Sequence, residues 1–217
     1  IDDGSCAGYP DNGEYSLNFD GVDDWVDIGL PNGMSTLGSF TFMIWLKYAG
    51  NEGAVISGYN DPPYPNQFLY IGFTGQETNC PNGDCMVFQF YGDGVYTSSL
   101  SDTSLTHWAF AYNSESLERN IYRNGTLVAE DIADGAYQGY LDIMLGASKY
   151  GDNDDGGSYE MAGFLLGGID NFSVYNYYTT PEEVNNNMNN GLLGTEMGYW
   201  KFNAGSGVIA YDHSGNA

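Results

Sequence analysis

Between residues 16 and 176 the chain is cut by glycine, proline, asparagine and aspartate into short runs dense in β-branched and aromatic side chains. Such residues fit a pleated, half-buried surface, and the interruptions are those of tight turns. Ser16–Phe19 and Trp25–Ile28 flank an acidic turn and are predicted to pair as neighbouring strands. Ser39–Leu46 is a long run of the same type, and Ala54–Gly58, Gln67–Phe73 and Met86–Tyr91 follow between Gly, Pro and Asn clusters. With 31 glycines, 16% aromatic and only 16% charged residues, the composition agrees with an all-β chain of many short strands. At 217 residues it is long enough to bury one full core, so a single module is expected.

Local chemistry refines this outline. Asp93-Gly94 and Asn124-Gly125 sit between alternating stretches, where residues tolerant of positive φ predict two-residue hairpin turns. In His107–Tyr112 large and small residues alternate. Trp108, Phe110 and Tyr112 therefore share one face and His107 joins the alanines on the other, as a packed, hydrogen-bonded residue and not a catalytic base. One helix is predicted, near residues 180–189: Thr180 offers an N-cap, Pro181 a first-turn proline and Glu183 the reciprocal member of a capping box.

The charge is lopsided, with 29 Asp and Glu against 5 Lys and Arg, a net charge of −24. Phosphate backbones and anionic headgroups are bound mainly through basic contacts, so nucleic acid is excluded as a partner and a membrane surface is disfavoured. No apolar run is long enough to insert in a bilayer. Cys80 and Cys85 face each other across a Pro-Asn-Gly-Asp turn, a span that suits a disulfide and hence an oxidising, extracellular compartment. Cys6 is left over, and with the chain starting at Ile1 its partner is expected upstream in a larger secreted or surface-attached protein, of which this chain is expected to be a monomeric module. A zinc site is the competing use of the cysteines, with only His107 and His213 to help.

Five segments together carry a resemblance: Ser16–Val26 with its Asp20-Gly21-Val22-Asp23-Asp24 turn, Phe40–Leu46, His107–Phe110, Ile121–Gly125 and Gly168–Asn176. In order and spacing they resemble the laminin-G-like family of concanavalin A-like jelly rolls. The resemblance implies two curved antiparallel sheets stacked face to face, a Ca²⁺ near a sheet edge held by the acidic turn with Asp170 of the late strand, and binding of glycans or proteins. Residues 15–190 would form the jelly roll. Residues 1–14 resemble the end of an Asp- and Cys-containing repeat that precedes such domains in bacterial surface proteins. Gly198–Gly207 and Asp212–Asn216 resemble an opening segment of the family, placed here at the C-terminus, and residues 191–217 are expected to pack on the same sandwich.

The residues give their own reading of the chemistry. Asp20, Asp23 and Asp24 place three carboxylates in one turn, and Gly21 lets backbone carbonyls face inward, which suits a cation that takes six to eight oxygens at about 2.3 to 2.6 Å. The competing reading is that Asp and Asn populate turns by bonding their own backbone. Asp152, Asp154 and Asp155 form a second acidic loop without EF-hand spacing, since Gly156 occupies a ligand position and no Glu closes it. Tyr59, Asn60, Asp61, Tyr64 and Asn66 lie in a loop held by three prolines. Flat aromatic faces beside amides suit sugar rings there, and an ordinary rigid loop is the alternative.

Catalysis finds little support. Glycosidases of this shape resemble laminarinases with a Glu-x-Asp-x-x-Glu strand, which is missing here. Lyases need a basic cluster for uronates, while Lys47, Arg119, Arg123, Lys149 and Lys201 are scattered. Asp212-His213-Ser214 holds triad residue types, but neighbours on a strand point to opposite faces. The sequence therefore points to a non-catalytic, Ca²⁺-containing carbohydrate-binding or adhesive module. A protein-interaction or spacer module comes second, and a polysaccharide hydrolase or lyase third.

Overall fold

The computed structural model describes residues 13–34, 37–50, 52–58, 65–75, 78–100, 102–150 and 160–216. In spatial order, the larger sheet comprises β1 (Leu17–Asp20), β14 (Leu166–Tyr175), β3 (Phe40–Tyr48), β8 (Leu105–Tyr112), β9 (Glu118–Arg123) and β10 (Thr126–Ile132), with β15 (Gly198–Trp200) also on β14. The facing sheet runs β2 (Val26–Gly29), β11 (Ile143–Leu145), β4 (Gly53–Gly58), β5 (Leu69–Thr74), β6 (Cys85–Phe90) and β7 (Gly94–Tyr96). A short ribbon pairs β12 (Ser148–Tyr150) with β13 (Glu160–Ala162). All pairings within the sheets are antiparallel. The fold is a mostly-β jelly-roll sandwich with one helix.

Alternation builds the core. Phe40, Phe42, Ile44 and Leu46 of β3 point between the sheets with Trp108, Phe110 and Tyr112 of β8, and meet Ile71, Phe88 and Phe90 from the facing sheet. Across the layer Phe90 lies edge-on to Tyr112 at 5.0 Å and Phe88 to Phe110 at 6.1 Å, arrangements that add to the burial of each ring. The intervening residues Met43, Ala109 and Ala111 join Tyr122, Tyr175 and Val184 in a second cluster under the helix α1 (Pro181–Asn190). The centre of the larger sheet is thus buried on both faces.

The helix starts as its sequence predicts. Thr180 Oγ1 accepts from the Glu183 amide at 3.2 Å, and Glu183 Oε2 accepts from the Thr180 amide at 2.7 Å. His107 is fully buried beneath it, its Nε2 2.9 Å from Asn187 Oδ1. Burial pushes the imidazole down from its ordinary 6.5 to about 4, against a smaller upward pull from Asn187, so it is neutral. The disulfide Cys80–Cys85 is formed.

One turn expectation is met and two expectations are corrected. Asn124-Gly125 does form the β9–β10 turn, with φ of 48° and 73°. The β6–β7 turn, in contrast, is centred on Tyr91-Gly92, both at positive φ, and Asp93 and Gly94 follow it. The reason lies in the pairing of Gln89 with Gly94, which leaves Phe90 and Asp93 as the flanking residues, joined by Phe90 N–H to Asp93 O at 2.8 Å. Finally, β1 and β2 do not pair. β1 pairs with β14 and β2 with β11, so the acidic turn crosses from one sheet to the other at the edge of the sandwich.

The opposite edge is closed by a buried cation. Arg119 donates to both oxygens of Asp131 on β10 at 2.9 and 2.6 Å, and to the side chain and carbonyl of Asp93 at 2.9 and 2.8 Å. Its guanidinium also lies over the Phe90 ring at 5.0 Å. The group ties β9 and β10 to the β6–β7 turn, and a fully buried guanidinium requires both partners. Asp93→Ala is expected to lower the free energy of unfolding by roughly 3 to 5 kcal/mol, measured by urea titration. A loss below about 1 kcal/mol would show that Asp131 alone suffices.

His107 gives a pH dependence. The unfolded imidazole takes its proton near 6.5 and the folded one near 4, so this contribution is whole above pH 6.5 and is lost as pH falls toward 4. Acidification to about pH 4.5 is expected to cost the native protein on the order of 2 kcal/mol more than a His107→Gln variant, read from thermal unfolding at both pH values. Equal losses would contradict a buried neutral imidazole. Asp170, whose carboxyl burial raises to about 6, works in the opposite sense in both proteins and cancels in the comparison.

Candidate functional site

At the crossing from β1 to β2 the backbone is folded by its own carboxylates. Val22 N–H donates to Asp20 Oδ1 at 2.8 Å, Asp20 N–H donates to Asp24 Oδ2 at 3.0 Å, and Gly21 takes the left-handed φ of 81° that this turn needs. The result brings carboxylate oxygens of Asp20, Asp23 and Asp24 within 4.8 Å of one another at the surface, the one such acidic or metal-ligating group among the described residues. Three like charges at this spacing repel, and an oxygen-seeking divalent cation would relieve them.

Asp170 is not part of this group. β1 runs antiparallel to β14, so Asp20 pairs with Leu166 and the register places Asp170 four residues further, beyond Leu17. That is about 13 Å along the strand. Asp170 lies where β14 breaks its pairing with β3, next to Asn171 at positive φ, and accepts the Asn171 amide at 2.8 Å. Burial above all, with the Glu14 charge adding to it, pushes its carboxyl up to about 6 against the opposing hydrogen bonds from Asn171.

Asp152, Asp154, Asp155, Tyr59, Asn60, Asp61 and Tyr64 lie outside the described residues. Asn66 is described, at φ 64°, with its amide donating to Phe90 O and its carbonyl accepting from Gln138. That position is beside β6, which β11, β4 and β5 separate from β2, so it is remote from the acidic turn.

A cleft of about 790 Å³ opens beside the acidic turn, a volume in the usual range of ligand sites. β1 and β2, the edge strands of the two sheets, form one wall, and the segment 202–211 forms the other. Trp200 and Phe202 anchor this strap in the core, and at its far end Asp212 Oδ1 accepts the amides of Tyr199 at 2.9 Å and Ser214 at 2.8 Å. Tyr15 N–H donates to Asn203 Oδ1 at 3.0 Å, and Gly205 packs on the Tyr15 ring so closely that a Cβ would stand 3.0 Å from it. Tyr15 and Trp25 remain 47% and 46% exposed at the cleft, whereas Trp108 and Trp200 are buried. Asp24 belongs to both the acidic turn and the cleft lining.

That residues 202–211 face Tyr15 and Trp25 across a cleft escapes a reading of the sequence by segments. One signal was present: Val26 and Ile28 pack on the core while Asp27 is exposed, so alternation turns Trp25 outward. Asp212 serves as the anchor of the strap.

The sequence profile of the concanavalin A-like lectin/glucanases superfamily, in its laminin-G-like form, matches residues 20–185. The chain belongs to this family. A comparison with curated proteins finds no match. Among solved structures, this laminin-G-like chain is similar to a proposed carbohydrate-binding protein from Bacteroides ovatus, with a TM-score of 0.69 at 16% identity, over 93% of this chain and 56% of that one. It thus spans little more than half of that protein. It is also similar to the SAP-like pentraxin of Limulus polyphemus, with a TM-score of 0.55 at 13% identity, covering 82% and 83% of the two chains. Domain 4 of the extracellular arabinanase AbnA of Geobacillus stearothermophilus, in complex with arabinotriose, aligns with a TM-score of 0.51 at 16% identity, over 80% and 81%. At these identities the likeness concerns the fold.

The anchoring of the strap is open to direct test. Asp212→Ala removes the acceptor of two backbone amides and is expected to cost about 1 to 3 kcal/mol. Amide exchange should quicken across residues 202–213 while β3 and β8 keep their protection. Unchanged protection of the strap would show that Trp200 and Phe202 hold it alone.

Proposed function

We propose that this laminin-G-like chain is a non-catalytic carbohydrate-binding module of a larger secreted or surface protein, with Ca²⁺ held by Asp20, Asp23 and Asp24. The observation that carries the reading is the junction at Asp24, where a triad of surface carboxylates adjoins an open cleft with aromatic walls. Aromatic faces and hydrogen-bonding edges are what sugar rings require, and a hard cation with oxygen ligands sets such a turn. The disulfide Cys80–Cys85 suits an extracellular setting, where Ca²⁺ is abundant enough for weak sites. A glycosidase needs a carboxylic acid held protonated beside its substrate, and Asp170, whose carboxyl burial pushes up to about 6, does not line the cleft. The arabinanase domain bound to arabinotriose makes short neutral oligosaccharides sensible first ligands. A protein-interaction role is the second reading, favoured by the tip of the strap, where Val208 is fully exposed and Ile209 largely so.

The test combines a polysaccharide array with thermal unfolding, each in Ca²⁺ and after chelation. Ca²⁺ at about a hundred times its dissociation constant is expected to stabilise the fold by roughly 2.7 kcal/mol. Asp23→Asn should abolish this gain and Asp170→Asn should leave the Ca²⁺ midpoint unchanged. A melting temperature indifferent to Ca²⁺ removes the metal from the proposal. Silence of the array transfers it to a protein partner, and newly formed reducing ends would make the chain a hydrolase.

A further inference from the structure

We propose that the edge cleft is the glycan subsite, that it seats a neutral oligosaccharide on Trp25 and Tyr15, and that it discriminates against sialylated and uronate-bearing glycans. This rests on the glycan-binding reading above and assigns it a place and a charge class.

The place follows from what the cleft leaves unburied. The chain buries Trp108, Trp200, Tyr112, Tyr122, Tyr137 and Tyr175 almost completely, yet holds Trp25 and Tyr15 half-exposed on one cavity. Exposed aromatic surface gathered in a concave site is recovered only when a ligand covers it. The C–H face of a sugar ring is such a cover, and Asn18, Asp24 and Asp27 in the lining offer partners for its hydroxyls. The site is prearranged, since Gly205 backs the Tyr15 ring and Asn203 holds the Tyr15 amide, which lowers the ordering cost of binding.

The charge class follows from the lining. Among the described residues it includes Asp24, Asp27 and His213 and no lysine or arginine. Arg119 and Arg123 stand on β9, separated from β1 by β14, β3 and β8, and are committed to Asp93 and Asp131 and to Asp102. With a Ca²⁺ on Asp20, Asp23 and Asp24 the turn still carries −3 + 2 = −1, and Asp27 adds another negative charge. A sugar carboxylate would enter this field without the guanidinium fork that usually receives one, whereas hydroxyls are indifferent to it.

The experiment titrates the intact chain in Ca²⁺ with matched pairs: lactose against sialyllactose, and arabino- and xylo-oligosaccharides against oligogalacturonates. Binding is followed by calorimetry and by tryptophan fluorescence. At least one neutral oligosaccharide is expected to bind tenfold or more tightly than the acidic members. Trp25→Ala should weaken it at least tenfold and remove the fluorescence response without lowering the melting temperature, whereas Tyr140→Ala, at an exposed aromatic outside the cleft, should change neither. Acidic glycans that bind as well as neutral ones, or neutral binding that survives Trp25→Ala, would overturn this inference and leave the glycan-binding reading standing. Failure of every glycan to bind would overturn both.

Discussion

The structure depends on a dry aromatic layer between two sheets. Phe40 alone lies within 6.3 Å, ring to ring, of Phe42, Phe88, Phe90, Tyr112 and Tyr137, so one side chain of β3 joins both sheets and the loop before β11. Burial of each such side chain is worth about 1.5 to 3 kcal/mol, and the layer is what makes the long-range pairings favourable despite their entropy. A sandwich so built has two open edges, where unpaired backbone invites association. At one of them Arg119 bridges Asp93 and Asp131. The other is spanned by the strap, and among the described residues a cleft lies between the strap and the edge strands.

The outer face of the larger sheet supports that strap from a distance. His107 Nε2 meets Asn187 Oδ1, Asn187 Nδ2 donates to the Tyr175 hydroxyl, and the Tyr175 hydroxyl donates to Glu196. Glu196 in turn accepts the amides of Leu193 and Gly194. This buried chain fixes α1 and the connection that delivers the backbone to β15. Next to β15 on the same edge of β14 lies β1, the two separated where β14 bends at Asp170 and Asn171. One wall of the cleft is therefore made of paired strands, and the other follows directly from one, β15. Its lining carries acidic groups in a protein of net charge −24, so the local field has the sign of the whole chain.

What the sequence determined by itself is local. Alternation in Phe40–Leu46 and His107–Tyr112 sets which side chains enter the core. The Thr180–Glu183 capping box starts the helix, Asn124-Gly125 makes its turn, Cys80 and Cys85 are close enough to bridge, and Asp20, Asp23 and Asp24 converge through hydrogen bonds within five residues. Each is decided by side-chain chemistry over a few positions, and each is legible there. Tertiary structure decided what depends on register and crossover. It sent β1 and β2 to different sheets, moved Asp170 away from the acidic turn by the antiparallel pairing with β14, and shifted the β6–β7 turn to Tyr91-Gly92. It also brought residues 202–211 across the chain to face Tyr15 and Trp25. Periodicity specifies which face of a strand is buried, but the partner of an edge strand is selected by the packing of the whole sandwich, and the cleft exists only where that packing ends.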